Sequence, residues 1–251
     1  MEKRDGLILE LSRAKEGLER GKMELVRSNA DLFQFARIAA HDLRSPLNTV
    51  GSYLSLLERK YGAVLDEKAH EYIFAARAGI KRMDQLVSSL LDLARIDVPE
   101  RNFSPVDCNV VLKQTLSNLT ADIAESRARI DVRTLPVLNG DPAQLVQLFQ
   151  NLISNAIKYR RAGIQPVILI SAESRSDEWI FSVKDNGIGI RQEALESIFE
   201  PLKRLHTETD YRGTGLGLSI CRKIVERHGG KIWADSAQAD GSTFSFTMPK
   251  K

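Results

Sequence analysis

The sequence predicts an α-helical hairpin that forms a dimeric four-helix bundle, preceded by an N-terminal coiled coil and followed by an α+β domain of the α/β-sandwich kind. Three observations carry this: a heptad over the first forty residues, two long apolar stripes interrupted at Tyr61-Gly62, and, past residue 105, short β-type runs alternating with capped helices.

In the first segment, 1–30, Leu11, Leu18 and Leu25 recur every seven residues and Leu32 continues the series. Leu7, Ala14, Gly21, Ser28 and Phe35 interleave at alternating spacings of three and four. Such a period makes a left-handed seam that needs another helix to cover it, and a parallel second copy is the expected cover. Gly21 and Ser28 are weak seam residues, which suits a helix whose register shifts. In the second segment, 31–98, Leu43, Leu47, Val50, Leu54 and Leu57 form one stripe and Tyr72, Ala76, Gly79, Met83, Leu86, Leu90 and Leu93 another. Two hairpins bury such stripes against each other as a four-helix bundle. Pro46 lacks an N–H and crowds the preceding turn, so the helix is expected to bend or loosen there.

Residues 99–105 read as a linker and 106–251 as the mixed domain. Strands are expected at 130–134, 167–172, 179–183, 231–234 and 243–248, and helices at 109–127, 142–160, 192–197 and 217–227. Asp141 and Pro142 mark the second helix start as N-cap and first helical residue. The helices should cover one face of a mixed sheet. Residues 203–212 are charged and lack an apolar period, as a mobile lid would be.

Four motifs carry chemistry. In Ala40-His41-Asp42-Leu43-Arg44-Ser45-Pro46 an imidazole stands beside a carboxylate, a nucleophile with a base attached. Downstream, Asn151, Asn155 and Lys158 share one helix edge beside the buried stripe, with Tyr159 next. Amide oxygens are hard neutral ligands for a magnesium ion shared with phosphates, and lysine neutralises phosphate charge. Asp185, at a strand end before Asn186-Gly187-Ile188-Gly189, can accept a hydrogen bond from an exocyclic amine such as that of adenine. Gly213-Thr214-Gly215-Leu216-Gly217 feeds a helix N-terminus, which suits a polyphosphate. Taken singly, each of these motifs also has an ordinary structural explanation.

Together and in this order, the motifs resemble the transmitter of a bacterial sensor histidine kinase over about residues 31 to 251. His41 marks the H box, Asn151 to Tyr159 the N box, Asp185–Gly189 and Gly213–Gly217 the glycine boxes, and Phe199-Glu200-Pro201 the F box. The stretch from Phe199 to Gly215 most resembles the phytochrome-like branch. The resemblance implies a dimerisation and phosphoacceptor hairpin and an ATPase domain of the superfamily shared with gyrase and the heat-shock chaperone. It implies ATP and Mg2+ as ligands. Asp185 would read adenine, Asn155 would hold magnesium with Asn151 nearby, Lys158 would meet phosphate and Tyr159 would flank the nucleotide. Lys203, Arg204 or Arg212 would supply a lid cation, and Gly187, Gly189, Gly213, Thr214, Gly215, Leu216 and Gly217 would line the nucleotide. The implied activity is autophosphorylation of His41, with Asp42 as base, followed by transfer to an aspartate of a response regulator receiver. A sensor domain upstream of this chain is implied as well. Two positions depart from the pattern: Leu202 stands where an aromatic is usual, and Ser45 where phosphatase-competent relatives more often carry threonine or asparagine. An ATP-driven conformational module with a structural His41, or a transmitter acting mainly as a phosphatase, fits the same residues.

Composition narrows the classes. The net charge of +3 comes from 36 basic and 33 acidic residues spread along the chain, so no basic tract marks nucleic acid as a partner. No apolar run approaches the ~20 residues of a membrane span. Cys108 and Cys221 lack metal-ligand spacing and read as free thiols of a reducing, cytoplasmic compartment. His70, His206 and His228 read as a surface residue, a lid residue and a helix end.

Overall fold

The computed structural model describes residues 2–95, 103–203, 205, 214–236 and 240–250. It opens with α1 (Glu2–Tyr61), a helix of 60 residues that runs through Pro46 without a break. The side chains of the heptad, Gly21 aside, lie outside the described residues. A single 3-10 turn, Gly62–Val64, reverses the chain at the Tyr61-Gly62 interruption and leads into α2 (Glu67–Arg95). Asp66 starts α2 by accepting from the Ala69 N–H at 2.8 Å.

Two charged clamps tie the hairpin. Arg44 donates to Asp84 at 2.9 Å and to Ser88 at 2.5 Å, and Arg77 donates to Glu58 at 2.5 Å. Apolar burial within one copy is slight. Of the hairpin's described apolar side chains only Ala40 and Ile73 are buried, while Leu43, Val50, Tyr53, Tyr72, Phe74 and Leu90 are each at least half exposed. A surface of this kind marks an interaction face rather than a finished core.

The second domain follows from β1 (Ser104–Asp107), α3 (Cys108–Asn118), α4 (Thr120–Ser126), β2 (Arg129–Val132), β3 (Val137–Gly140) and α5 (Pro142–Lys158). It continues with β4 (Val167–Ser174), β5 (Glu178–Asp185), α6 (Gly217–Arg227), β6 (Ile232–Ser236) and β7 (Ser242–Pro249). Five strands form a mixed sheet in the order β2-β4-β5-β7-β6, in which only the β2–β4 pair is parallel. The core lies between the sheet and α5. Leu145, Leu148, Phe149, Leu152 and Ile153 of α5 are buried, and Phe149 meets Phe181 and Phe246 edge-on at 6.0 and 5.8 Å.

Three expectations need correction. The helix expected over 109–127 is two helices, because the chain turns at Leu119, which is buried and whose N–H bonds back to Thr115 O and Leu116 O. Ser104 and Pro105, read as linker, are paired in β1 with β3 as a separate two-stranded sheet. Asp107 then caps α3 and Asn109 bonds to both the N–H and the carbonyl of Leu135, so this small sheet closes the entry to the domain. The helix expected over 192–197 is two single 3-10 turns, Gln192–Ala194 and Ser197–Phe199. The hairpin docks on the domain as well: Asp92 of α2 accepts from Gln147 of α5 at 2.9 Å, and Leu86 and Leu93 pack against the domain core.

Candidate functional site

His41 stands on the outer surface of α1 with its imidazole 84% exposed. Its Nδ1 lies 3.2 Å from Asp42 Oδ1, also exposed, so Nε2 is the nitrogen left toward solvent. An imidazole held this way can act as a nucleophile through Nε2 while the carboxylate orients the ring.

The other motifs gather in the second domain around one cavity. Of the residues singled out in the sequence, Asn155, Tyr159, Asp185, Gly189 and Lys203 line it. Ile188, Ile190, Ile198, Leu205, Leu218, Ser242 and Phe244 complete the wall, and none of these was singled out as a site residue. The lining is mostly apolar, with Asn155, Asp185, Lys203 and Ser242 among the polar groups, a composition that takes a flat heteroaromatic ring with few polar contacts.

Asp185 ends β5 and is almost fully buried. Its Oδ1 accepts from the N–H of Gly187 at 2.7 Å and of Ser242 at 3.2 Å. Oδ2 has no partner among the described residues and is the acceptor left for a ligand. Burial pushes this carboxyl above the ordinary carboxylate range, against the pull of the two N–H groups. Gly187 makes the arrangement possible, because a Cβ there would lie 2.5 Å from Tyr159 O and 2.8 Å from Asp185 Oδ1. Behind it, Ser236 Oγ accepts from Ile190 N at 2.8 Å and donates to Gly241 O at 2.7 Å, fixing the loop after Asp185 to the start of β7.

Helix α5 supplies the polar side. Asp141 accepts from Ala143 N and Gln144 N at 3.0 and 3.2 Å, with Pro142 in the first turn, as its sequence signals require. Asn155 reaches the cavity itself. Asn151 does not line it, and instead donates from Nδ2 to Gly217 O at 3.3 Å. Lys158 donates to Tyr159 Oη at 2.7 Å and lies 4.2 Å from that ring's centroid.

The second glycine run sets α6. Thr214 Oγ1 accepts from Leu216 N at 3.3 Å, Leu216 is buried, and α6 starts at Gly217 with no side-chain cap among the described residues. Uncapped N–H groups at a helix start suit an anion. Gly215 has φ +75° and Leu202 has φ +63°. A Cβ on Gly215 would lie 3.0 Å from Leu202 C, so the residues flanking 203–214 come together by close backbone approach. Arg204, Arg212, Gly213 and His206 lie outside the described residues.

Two groups stand apart. Burial pushes the Cys108 and Cys221 thiols up to about 12, so neither is a nucleophile. His228 is a helix end as read, but it is buried and bonded on both ring nitrogens. Among the described residues no three His, Cys, Asp or Glu side chains cluster as a metal site. The donor set here is amide oxygen, which fits a hard cation that takes its remaining ligands from phosphate and water. No described helix is long and apolar enough to cross a membrane.

Comparison with known proteins accords with this geometry. Residues 31–99 match the His Kinase A (phospho-acceptor) domain, and residues 140–251 match the Histidine kinase-, DNA gyrase B-, and HSP90-like ATPase. The chain is 44% identical over 238 residues to the phytochrome-like protein Cph1 of Synechocystis, which covers 94% of this chain and 32% of that protein. It thus spans about a third of that relative's length. Among solved structures, full-length ShkA in complex with AMPPNP is similar with a TM-score of 0.66 at 28% identity, covering 86% of this chain and 45% of that one. Histidine kinase ThkA in complex with the response regulator protein TrrA is similar with a TM-score of 0.59 at 27% identity, covering 87% of this chain and 61% of that one. A phosphoacceptor hairpin followed in order by this ATPase fold shows that the chain belongs to the histidine kinases, as a transmitter of the phytochrome-like branch.

Proposed function

We propose that the chain binds ATP in the cavity around Asp185, phosphorylates its own His41, and passes the phosphoryl group to an aspartate of a response regulator receiver. The observation that carries this reading is the pairing of His41 with Asp42 on an exposed helix face, in a chain that also holds a largely aliphatic cavity around the buried Asp185. Asp185 Oδ2 accepts from the adenine amine between the aliphatic walls. Asn155, with Asn151 behind it, would hold Mg2+, which neutralises phosphate charge when bound. Lys158, the N-terminus of α6 and a lid cation from Lys203, Arg204 or Arg212 receive the phosphates, and Gly187, Gly189 and the run Gly213 to Gly217 leave room for them. His41 Nε2 attacks the γ-phosphorus as the bond to the bridging oxygen breaks and ADP leaves, while Asp42 takes the proton from Nδ1. Positioning and charge neutralisation supply most of the rate in such transfers.

The exposed apolar faces of the hairpin support a homodimer in which two hairpins cover each other. The division proposed is 1–30 coiled coil, 31–98 dimerisation and phosphoacceptor domain, 99–105 linker and 106–251 ATPase domain, with β1 beginning within the linker's last residues. Incubation with γ-labelled ATP tests the reading. Acid-labile, base-stable label on the wild type, lost in His41→Ala with ATP affinity kept, supports it. Retained label in His41→Ala overturns it. Asn155→Ala should remove the magnesium dependence of nucleotide binding.

A further inference from the structure

The imidazole of His228 is engaged on three sides at the end of the domain away from the nucleotide cavity. Its Nδ1 lies 2.7 Å from Ile224 O, and its Nε2 is 3.1 Å from the backbone N of Asp141. A carbonyl only accepts and a backbone N–H only donates, so Nδ1 carries the proton, Nε2 is bare and the ring is neutral. The ring face stacks on Phe103, with centroids 4.5 Å apart and planes 14° from parallel. On the remaining side, a Cβ on Gly140 would lie 2.9 Å from Nε2, so only glycine lets β3 pass this close.

The partners explain what such a contact can do. Phe103 is the first described residue after the hairpin, at the point where the chain enters the second domain. Asp141 begins α5, and His228 ends α6. These two helices run antiparallel and are tied at three levels: Asp141 N to His228 Nε2, Cys221 Sγ to Leu148 O at 3.9 Å, and Asn151 Nδ2 to Gly217 O at 3.3 Å. The last tie sits beside the nucleotide cavity and the first beside the chain entry. The ten residues from Asp141 to Asn151 span ~15 Å of helix. One end of the helix pair therefore lies beside the nucleotide cavity, and the other holds Phe103, where the described chain enters the second domain.

We infer that His228 is a positioning residue for phosphoryl transfer: its ring clasps Phe103 to the start of α5 and the end of α6, setting how the hairpin and its His41 are presented to ATP. The inference rests on the histidine kinase reading. It assigns His228 no contact with ATP or with His41. Losing the clasp should leave nucleotide affinity in place, because Asn151, Gly217 and the Asp185 cavity are untouched, and should lower the transfer rate. A misplacement of about 1 Å between reacting groups costs on the order of 10²-fold, so a loss of about 10–100-fold in kcat is expected.

The test uses the whole chain as His228→Gln, Phe103→Ala, the double variant and Phe103→Tyr. Phe103 is only half-buried, so Phe103→Ala keeps the test open should His228→Gln fail to fold. The expected result is an ATP KM within about twofold of wild type, the stated fall in autophosphorylation kcat in each single variant, no further fall in the double, and recovery in Phe103→Tyr. Spin labels on Glu71→Cys, an exposed position of α2 outside its apolar stripe, and Lys184→Cys give a second readout, since the native cysteines are buried. The hairpin-to-domain distance distribution should broaden in both single variants. Unchanged kcat in Phe103→Ala, or KM rising in step with the loss of kcat, overturns the inference. Should the wild type take no label from ATP, the kinase reading falls and the distances decide alone: broadening upholds the clasp, and an unchanged distribution overturns it.

Discussion

The Nδ1 of His41 and the Oδ1 of Asp42 lie 3.2 Å apart on consecutive residues of one helix, both exposed. Neighbours one apart on a helix do not face each other through their Cβ atoms, so the contact depends on both side chains leaning together. Asp42→Asn keeps an oxygen for the Nδ1 proton but removes the charge that would take it up in the proposed transfer. Autophosphorylation should slow by about 10²–10⁴-fold with ATP affinity unchanged, as read by single-turnover labelling at saturating ATP. A rate within a few-fold of wild type would remove Asp42 from the base role.

Asp185 offers a cleaner separation of stability from binding. Its folded carboxyl is raised above 3.8 by burial, so the folded chain pays for the charge at every pH above that raised value. In Asp185→Asn the amide oxygen can keep the Gly187 and Ser242 bonds, and an NH2 then takes the place of Oδ2. Two donors would face each other at the adenine amine. Melting temperature should hold or rise, while calorimetry shows ATP affinity down by about 10–100-fold, the cost of an unmet donor.

Gly187→Ala should lower affinity too, but with a loss of stability. The added methyl, 2.5 Å from Tyr159 O and 2.8 Å from Asp185 Oδ1, must push the end of α5 away from the loop after β5. Both stability and affinity should fall, stability by about 1–3 kcal/mol as for other overpacked sites, measured by denaturant melts with and without ATP.

His228 titrates against the fold. Burial holds it below 6.5, with the Ile224 carbonyl and Asp141 opposing and Arg227 assisting. The unfolded chain therefore binds the proton first as pH falls. The stability it contributes is complete above 6.5 and is lost as pH drops below that value toward the depressed folded pKa. Melting temperature should decline from pH 7.5 to pH 5.5 more steeply in wild type than in His228→Gln, and equal slopes would refute the assignment.

What was legible in the sequence was what the chain writes locally. Asp141 and Pro142 announce α5 because a cap and a first-turn proline act within three residues, and the alternation through Ile180 and Phe181 announces β5 for the same reason. The turn at Leu119 was not legible, since an apolar residue within a helical pattern reads as more helix until a core exists to pull it inward. β1 and β3 were missed because Pro105 and Asn139-Gly140 look like linker and turn, and their pairing spans more than thirty residues. Ser242 contributes to the cavity through its backbone N–H, for which a side-chain motif has no symbol. Phe103 and His228 meet across most of the domain's sequence, so only the folded chain brings them together.

Proline at position 46 has no N–H for the carbonyl four residues back, which is that of Asp42. The longest described helix is thus continuous in its path yet lacks one rung of its ladder, at the residue whose carboxylate lies beside His41. Opening the backbone there sacrifices one hydrogen bond fewer than opening it one turn further along, a difference of about 1 kcal/mol. In a rod of 60 residues, twist or strain entering from either end relaxes most cheaply beside His41.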